Sequence, residues 1–370
     1  MKYKEYVVKR LILLIPVMFG VSLLSFVLSN AVGDPIASYV GQSDDKISEE
    51  RMAQLRHQLG LDQPWYVQYS RYLGRLLQGD LGESASYNPP LPVLEVIVIR
   101  FPATAELSVF SLIIAILVGI PLGIISAIKK DKVPDHMSRI AALSGVSMPI
   151  FWLGLMLQVV LFNVNNVLDN SAIGFQFPYH ERWTRNDYPQ PTSILFGMVP
   201  ASGFMLLDSI LFLPADFPIL DSVNTSFLMF IDVLLHLFPP AFCLSWLQMA
   251  LFTRMTRMSM LETMRQDYIL LAKSKGLTER IIIYRHALRN AIIPTLTVAG
   301  LSLAGLLTGT VLTETVFSWP GLGRWAVNAV ANLDLAAIQG FVLVAAILYV
   351  LSNLGVDLLY GFIDPRIRYD

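Results

Sequence analysis

The chain has 370 residues, of which 54% are hydrophobic and 15% charged, with a formal charge of −1 and a mean hydropathy of +0.56. So few charges exclude an ordinary water-soluble enzyme, in which about 25% is usual, and so much apolar content excludes a disordered chain. The near-zero charge leaves no cation excess for nucleic acid, and one cysteine, Cys243, excludes a disulfide framework or a cysteine-based zinc site.

A helix crosses the hydrocarbon core with about 20 apolar residues. Six stretches meet that length, near 11–31, 104–128, 140–164, 233–252, 291–317 and 338–361. The first follows a basic N-terminus and resembles a secretory signal, but its apolar run is too long for a signal core and predicts a retained helix. Counted over alternate segments, Lys and Arg number 18 against 9. The richer set defines the cytoplasmic side, which puts both termini in the cytoplasm and 32–103 and 164–232 outside. Residues 194–213 are apolar but interrupted by Pro200, Gly203 and Asp208, and read as an interfacial or re-entrant segment rather than a seventh span.

Within 32–103, residues 48–59 carry a helical phrase with Met52, Leu55 and Leu59 on one face, followed by Trp65, Tyr66, Tyr69 and Tyr72. This predicts an amphipathic element on the outer membrane surface with its aromatics at headgroup level. No internal repeat or low-complexity tract is visible.

Three acids fall inside the spans, Glu106, Glu314 and Asp357, each toward a helix end. They are expected to reach an interface or cap a neighbouring helix, the alternative being an ion relay. The chain has no phosphate-binding loop, His-Glu-x-x-His or Gly-x-Ser-x-Gly, and its five histidines are scattered. No catalytic or metal site and no cofactor is therefore predicted, and energy for uphill transport would have to come from elsewhere.

The segment 253–290 is too long for a simple turn. Met258, Leu261, Met264, Asp267, Tyr268, Leu271 and Ala272 extend the fourth span as a helix. Lys275-Gly276 then breaks it, the glycine suiting a left-handed C′ position. Thr278 is a fair N-cap for a second helix, which Ile282, Tyr284, Arg285, His286, Leu288 and Asn290 carry back toward Pro294 in the first turns of the fifth span. A rigid helix-turn-helix rooted in two spans transmits a push from a soluble partner into the bilayer. The plainer reading is a basic loop that only enforces topology.

These residues carry a resemblance. Gln266-Asp-Tyr-Ile-Leu-Leu-Ala-Lys-Ser-Lys-Gly-Leu277 followed by Tyr284-Arg-His-Ala-Leu-Arg-Asn290 resembles the cytoplasmic coupling motif of the B-type permease subunits of dipeptide, oligopeptide and nickel-class ABC importers. The likeness extends to Gly33-Asp-Pro35, Gln58-Leu-Gly-Leu61, Gly79-Asp-Leu-Gly82, Gly119-Ile-Pro-Leu-Gly123, Glu314-Thr-Val-Phe-Ser-Trp-Pro-Gly-Leu-Gly-Arg324 and Asp364-Pro-Arg-Ile-Arg368, nearly the whole chain. It implies an all-α integral membrane protein of six transmembrane helices with the type I importer permease fold, in the cytoplasmic (inner or plasma) membrane. Residues 1–31 would form the N-terminus and first helix, 32–103 an external segment, and 104–370 the permease core with an external insertion at 164–232.

The resemblance further implies that Gln266, Asp267, Tyr268, Ala272, Lys275, Gly276, Leu277, Arg285, His286, Arg289 and Asn290 couple to an ATPase. The implied partners are two ATP-binding subunits carrying ATP and Mg, a second related permease subunit and an extracytoplasmic substrate-binding protein. Thr308, Thr310, Thr313 and Glu314 are candidates for the translocation path, although Thr and Gly in membrane helices also serve as packing contacts. Two features depart from the pattern. The broader Glu-Ala-Ala signature reads Leu270-Leu-Ala272, which narrows the class to peptide-type importers, and 164–232 is longer than the family leads one to expect. The rival readings are a stand-alone ion-coupled carrier and a membrane scaffold without transport.

Overall fold

The computed structural model describes residues 3–32, 57, 62–84, 86–87, 89–169, 204–206 and 219–363. Among them the chain is helical apart from one antiparallel ribbon, β1 (Glu83–Ser84) with β2 (Leu91–Pro92), in which Ser84 faces Leu91. The ribbon leads directly into α3 (Val93–Ile128), a 36-residue helix about 54 Å long, well beyond the roughly 30 Å hydrocarbon core.

Before the ribbon come α1 (Tyr3–Val32) and α2 (Trp65–Leu77). The four aromatics predicted for the outer membrane surface divide into two buried and two exposed. Tyr69 and Tyr72 are buried on α1, their rings 5.4 and 5.9 Å from that of Phe26, and the Tyr69 hydroxyl lies 3.0 Å from Ser22 Oγ. Trp65 and Tyr66 remain exposed.

Among the described residues, α3, Phe230–Thr263 and Leu335–Val356 are each long and apolar enough to cross a membrane, and two bent helix pairs raise the number to five. These cover the second to sixth predicted stretches, while the first lies in α1. The single helix predicted over 140–164 is two, α4 (Val133–Ser147) and α5 (Ile150–Asp169), meeting at 103°. Pro149 is the cause: a residue before proline is pushed out of the α region, and Met148 sits at φ −87°, ψ 124°.

The fourth span is longer than predicted, α6 running over Ile219–Thr263. It stops short of the continuation expected through Ala272, with turns at Met264–Gln266 before the separate helix α7 (Asp267–Ser274). The second helix of the loop is also not one regular helix. It comprises α8 (Glu279–Ile281), a π-turn (Ile282–Ala287) and α9 (Leu288–Ala291), and it meets α10 (Ile293–Gly309) at a 48° bend. Pro294, in the first turn of α10, suits that new helix start. The fifth predicted span, 291–317, breaks again at Thr310 before α11 (Val311–Val316). The chain continues through α12 (Leu322–Ala331) to α13 (Leu335–Ile363).

The centre of the fold is the seam between α3 and α6. An added Cβ at Gly123 would stand 2.6 Å from Thr256 Cβ and 2.8 Å from the Thr253 carbonyl, and one at Gly119 would stand 3.0 Å from the Met249 carbonyl. Because lipid is as apolar as leucine, such contact and interhelical hydrogen bonds replace the hydrophobic effect as the force between helices. Thr253 Oγ1 donates to the Gly119 carbonyl (3.1 Å), and Thr256 Oγ1 shares a hydrogen with Thr295 Oγ1 of α10 (3.0 Å). Exposure is correspondingly inverted, with Leu117, Ile140 and Leu143 facing outward.

One ion pair locks the end of this seam. Asp135, fully buried at the start of α4, accepts from Arg257 Nε (2.7 Å) and Nη2 (2.9 Å). Ser126 Oγ (2.6 Å) and the Asp131 amide (3.0 Å) complete its shell. Bidentate geometry with every remaining lone pair engaged offsets the cost of burying a charge.

Two outcomes are expected in detergent melts of the purified protein. Gly123→Val lowers the melting temperature, whereas Gly74→Ala, where a Cβ meets nothing within 4 Å, leaves it unchanged or raises it. Asp135→Asn destabilises by about 1.5–3 kcal/mol by removing the charged acceptor of Arg257; an unchanged melt would show that the pair does not brace the fold.

Candidate functional site

Residues 253–290 gather at the end of α3 that lies opposite the ribbon. Ile120, Ile124 and Ala127 of α3, Met260 of α6, Ile269 and Ala272 of α7, and Ile282, Ile283, Ala287 and Ala291 form one buried cluster there. The π-turn has a clear effect within it. Ile282, Ile283 and Ala287 of its i→i+5 coil are all buried.

The break between α7 and α8 has the geometry expected of Gly276. Its φ is +73°, its amide donates to the Lys273 carbonyl (2.9 Å), and the Leu277 amide reaches the Ala272 carbonyl (3.4 Å). This is the Schellman pattern, completed by Leu277 packing onto the cluster that holds Ala272. Thr278 occupies the N-cap position of α8 but makes no side-chain capping bond. Asn290 Nδ2 donates to the Tyr268 hydroxyl (2.9 Å), tying the two limbs together.

The predicted residues therefore divide by face. Ala272 is buried and Leu277 half-buried on the inner side, and His286 is half-buried within the π-turn. Gln266, Asp267, Tyr268, Lys275, Gly276, Arg285, Arg289 and Asn290 are exposed. Sequence reasoning did not single out the apolar surface beside them: Leu270 is 65% exposed, Leu271 57% and Tyr284 56%. The signal available was two leucines on the polar side of a helix whose inner face is already occupied by Ile269 and Ala272.

The candidates on the fifth span sit elsewhere. Thr310, Thr313 and Glu314 are buried within the chain, and Thr308 is half-buried, donating to the Ala304 carbonyl (3.1 Å). Glu314 accepts from Thr104 Oγ1 and Thr310 Oγ1 (both 2.7 Å) through one oxygen and from the Arg324 amide (2.9 Å) through the other. Thr104 Oγ1 in turn accepts from the Leu322 amide (2.8 Å). Glu314 and Thr104 together cap the N-terminus of α12, where a carboxylate also meets the positive end of the helix dipole. Glu106 is likewise buried and accepts from the Leu206 amide (2.6 Å). The side chain of Asp357 lies outside the described residues, as do 33–35, 58–61, 164–232 apart from 164–169, 204–206 and 219–232, 364–368, and 48–59 apart from His57. Among the described residues no group of His, Cys, Asp or Glu has the arrangement of a metal site.

Two family models match the chain. Residues 119–369 match the binding-protein-dependent transport system inner membrane component, and residues 3–108 match the N-terminal part of such membrane components. The chain is 41% identical over 366 residues to the dipeptide transport system permease protein DppB of Escherichia coli (strain K12), covering 99% of both chains. It is 40% identical over 370 residues to the di/tripeptide transport system permease protein DppB of Pseudomonas aeruginosa (strain UCBPP-PA14), again covering 99% of each. With the oligopeptide transport system permease protein AppB of Bacillus subtilis (strain 168) it shares 34% identity over 365 residues, 98% of this chain and 99% of that one. The apolar spans, the Gly276 turn and full-length similarity converge: the chain is a membrane-embedded protein that belongs to the binding-protein-dependent transport system inner membrane component family.

Proposed function

We propose that this chain is the permease subunit of an ATP-driven importer of peptides or related small solutes. It forms half of the translocation pathway across the cytoplasmic membrane, with six crossings, both termini in the cytoplasm and 32–103 and 164–232 outside. A second, related permease subunit supplies the other half, two ATP-binding subunits carry ATP and Mg, and an extracytoplasmic binding protein delivers the solute. The full-length relatives with peptide permease names support the substrate class.

The observation that carries the coupling role is the exposed ridge of Leu270, Leu271 and Tyr284 on an element rigidly fixed to α3 and α6. Apolar side chains on a basic loop outside the bilayer call for a protein partner. The inner face, through Ile269, Ala272 and Leu277, joins that ridge to the two longest helices described. A partner that moves the ridge therefore moves the seam. Gln266, Asp267, Tyr268, Lys275, Arg285, Arg289 and Asn290 surround the ridge as the polar rim of the contact, His286 supports it from within the π-turn, and Gly276 with Ala272 sets its angle. Thr308, on the face of α10 that is not fully covered, is the path residue this reading retains. Thr310, Thr313 and Glu314 shape the path by holding α10, α11 and α12 in place.

Two measurements test this reading. In vesicles containing the assembled importer and its binding protein, uptake of a labelled dipeptide should require ATP inside; uptake that survives ATP depletion while a proton or sodium gradient persists would instead establish an ion-coupled carrier. Gly276→Val forces a β-branched residue into positive φ. It should leave the chain in the membrane while substrate-stimulated ATP hydrolysis by the complex falls to the basal rate, and full stimulation in that variant would refute the coupling role.

A further inference from the structure

At the end of α3 remote from the 253–290 loop, a cleft of about 330 Å³ opens between the β1–β2 connection, the early turns of α3 and α12. Tyr87, Arg100, Arg324, Trp325, Asn328 and Asn332 line it. The volume lies at the lower end of the range for small-molecule sites.

Its electrostatics are unbalanced. Among the described residues the Arg100 guanidinium reaches only neutral oxygens, the Pro320 carbonyl and the Tyr87 hydroxyl, each at 3.4 Å. Arg324 donates to another neutral acceptor, the Ser318 carbonyl. Two of the nearby acids are buried and already engaged, while Glu83 of β1 and Glu95 of α3 are exposed. Glu314 caps α12, and Asp334 accepts from Ser84 Oγ (2.6 Å), the Ser86 amide (3.0 Å) and Ser86 Oγ (2.8 Å) on one oxygen and from the Ala337 amide (3.1 Å) on the other. A further donor is at hand: Trp325 is 4% exposed, and its indole N–H has no acceptor among the described residues. A buried donor left unmade costs about 1–3 kcal/mol, a cost that an arriving acceptor removes.

We propose that this cleft binds the C-terminal carboxylate of a peptide, an inference that rests on the peptide-importer reading above. Guanidinium forks match a carboxylate in plane and charge. The indole N–H adds a third donor, and the Asn328 and Asn332 side chains, each both donor and acceptor, suit the last peptide unit behind it. The site receives peptide at the end of the spans opposite the 253–290 loop, before the solute enters the membrane.

The test uses the assembled importer in lipid nanodiscs without its binding protein, with labelled trialanine and trialanine amide as probes. Wild type should bind the acid at least about tenfold more tightly than the amide, a difference of about 1.4 kcal/mol. Arg100→Gln and Arg324→Gln should each weaken acid binding about tenfold and leave the amide unchanged, and Arg324→Lys should recover part of the loss. Equal binding of acid and amide by wild type, a comparison that needs no variant, would overturn the proposal. So would glutamine variants that bind trialanine normally, including the case in which they lose capture of the binding protein, since the carboxylate would then belong to that partner. ATP-dependent dipeptide uptake by wild type separates the two readings: uptake without acid-over-amide preference sinks this site alone, whereas no uptake sinks the importer assignment.

Discussion

The closeness of α3 and α6 is the constraint on which the other arrangements depend. With no water to expel between them, two long helices stay in register only if their backbones nearly touch. Gly119 and Gly123 permit that contact, and Thr253 and Thr256 convert it into hydrogen bonds, the second reaching across to α10. Three spans are thereby fixed at one level. The Asp135–Arg257 pair sits just beyond, where α3 turns into α4 and α6 leaves toward the loop, so the loop inherits its position from the seam.

The two ends of α3 face opposite chemical problems. At one end the 253–290 segment must stay rigid between two long helices, and the solution is a buried cluster beside exposed apolar side chains. At the other end the short helix α12 starts amid buried surroundings, where its first amides have no water to bond. Thr104 and Glu314, which are 210 positions apart, meet those amides from two different helices. The same pair of residues thus closes the fifth span onto the second, and Trp319 reinforces the joint by donating to the Ala103 carbonyl (2.8 Å). An acid near the end of a span is expected to reach an interface or to cap a neighbouring helix; Glu314 serves as such a cap.

Much of this was legible in the sequence, for physical reasons that differ by element. Spans are legible because transfer into lipid is a sum over consecutive residues, and the second, fourth and sixth stretches accordingly reappear as helices. Gly276 was legible because a left-handed turn between two apolar-periodic segments has few other solutions. The kink at Met148 carried a proline signal that the length of the apolar run concealed, since hydropathy says nothing about backbone direction. The π-turn had no composition signal at all, because its extra residue is set by packing of Ile282, Ile283 and Ala287 against α3 and α6. Pairings such as Asp135 with Arg257 and the convergence of Arg100, Arg324 and Trp325 join residues far apart in the chain, and no local pattern announces them.

The Glu314 cap also constrains how the chain is made. Thr104 is already available when the ribosome adds Glu314, but the Arg324 amide that engages the second carboxylate oxygen is synthesised later, and its donors align only once α12 has formed. Until then only one carboxylate oxygen has its donors, Thr104 and Thr310. The cap is therefore complete only when the segment that follows the fifth stretch has folded against it.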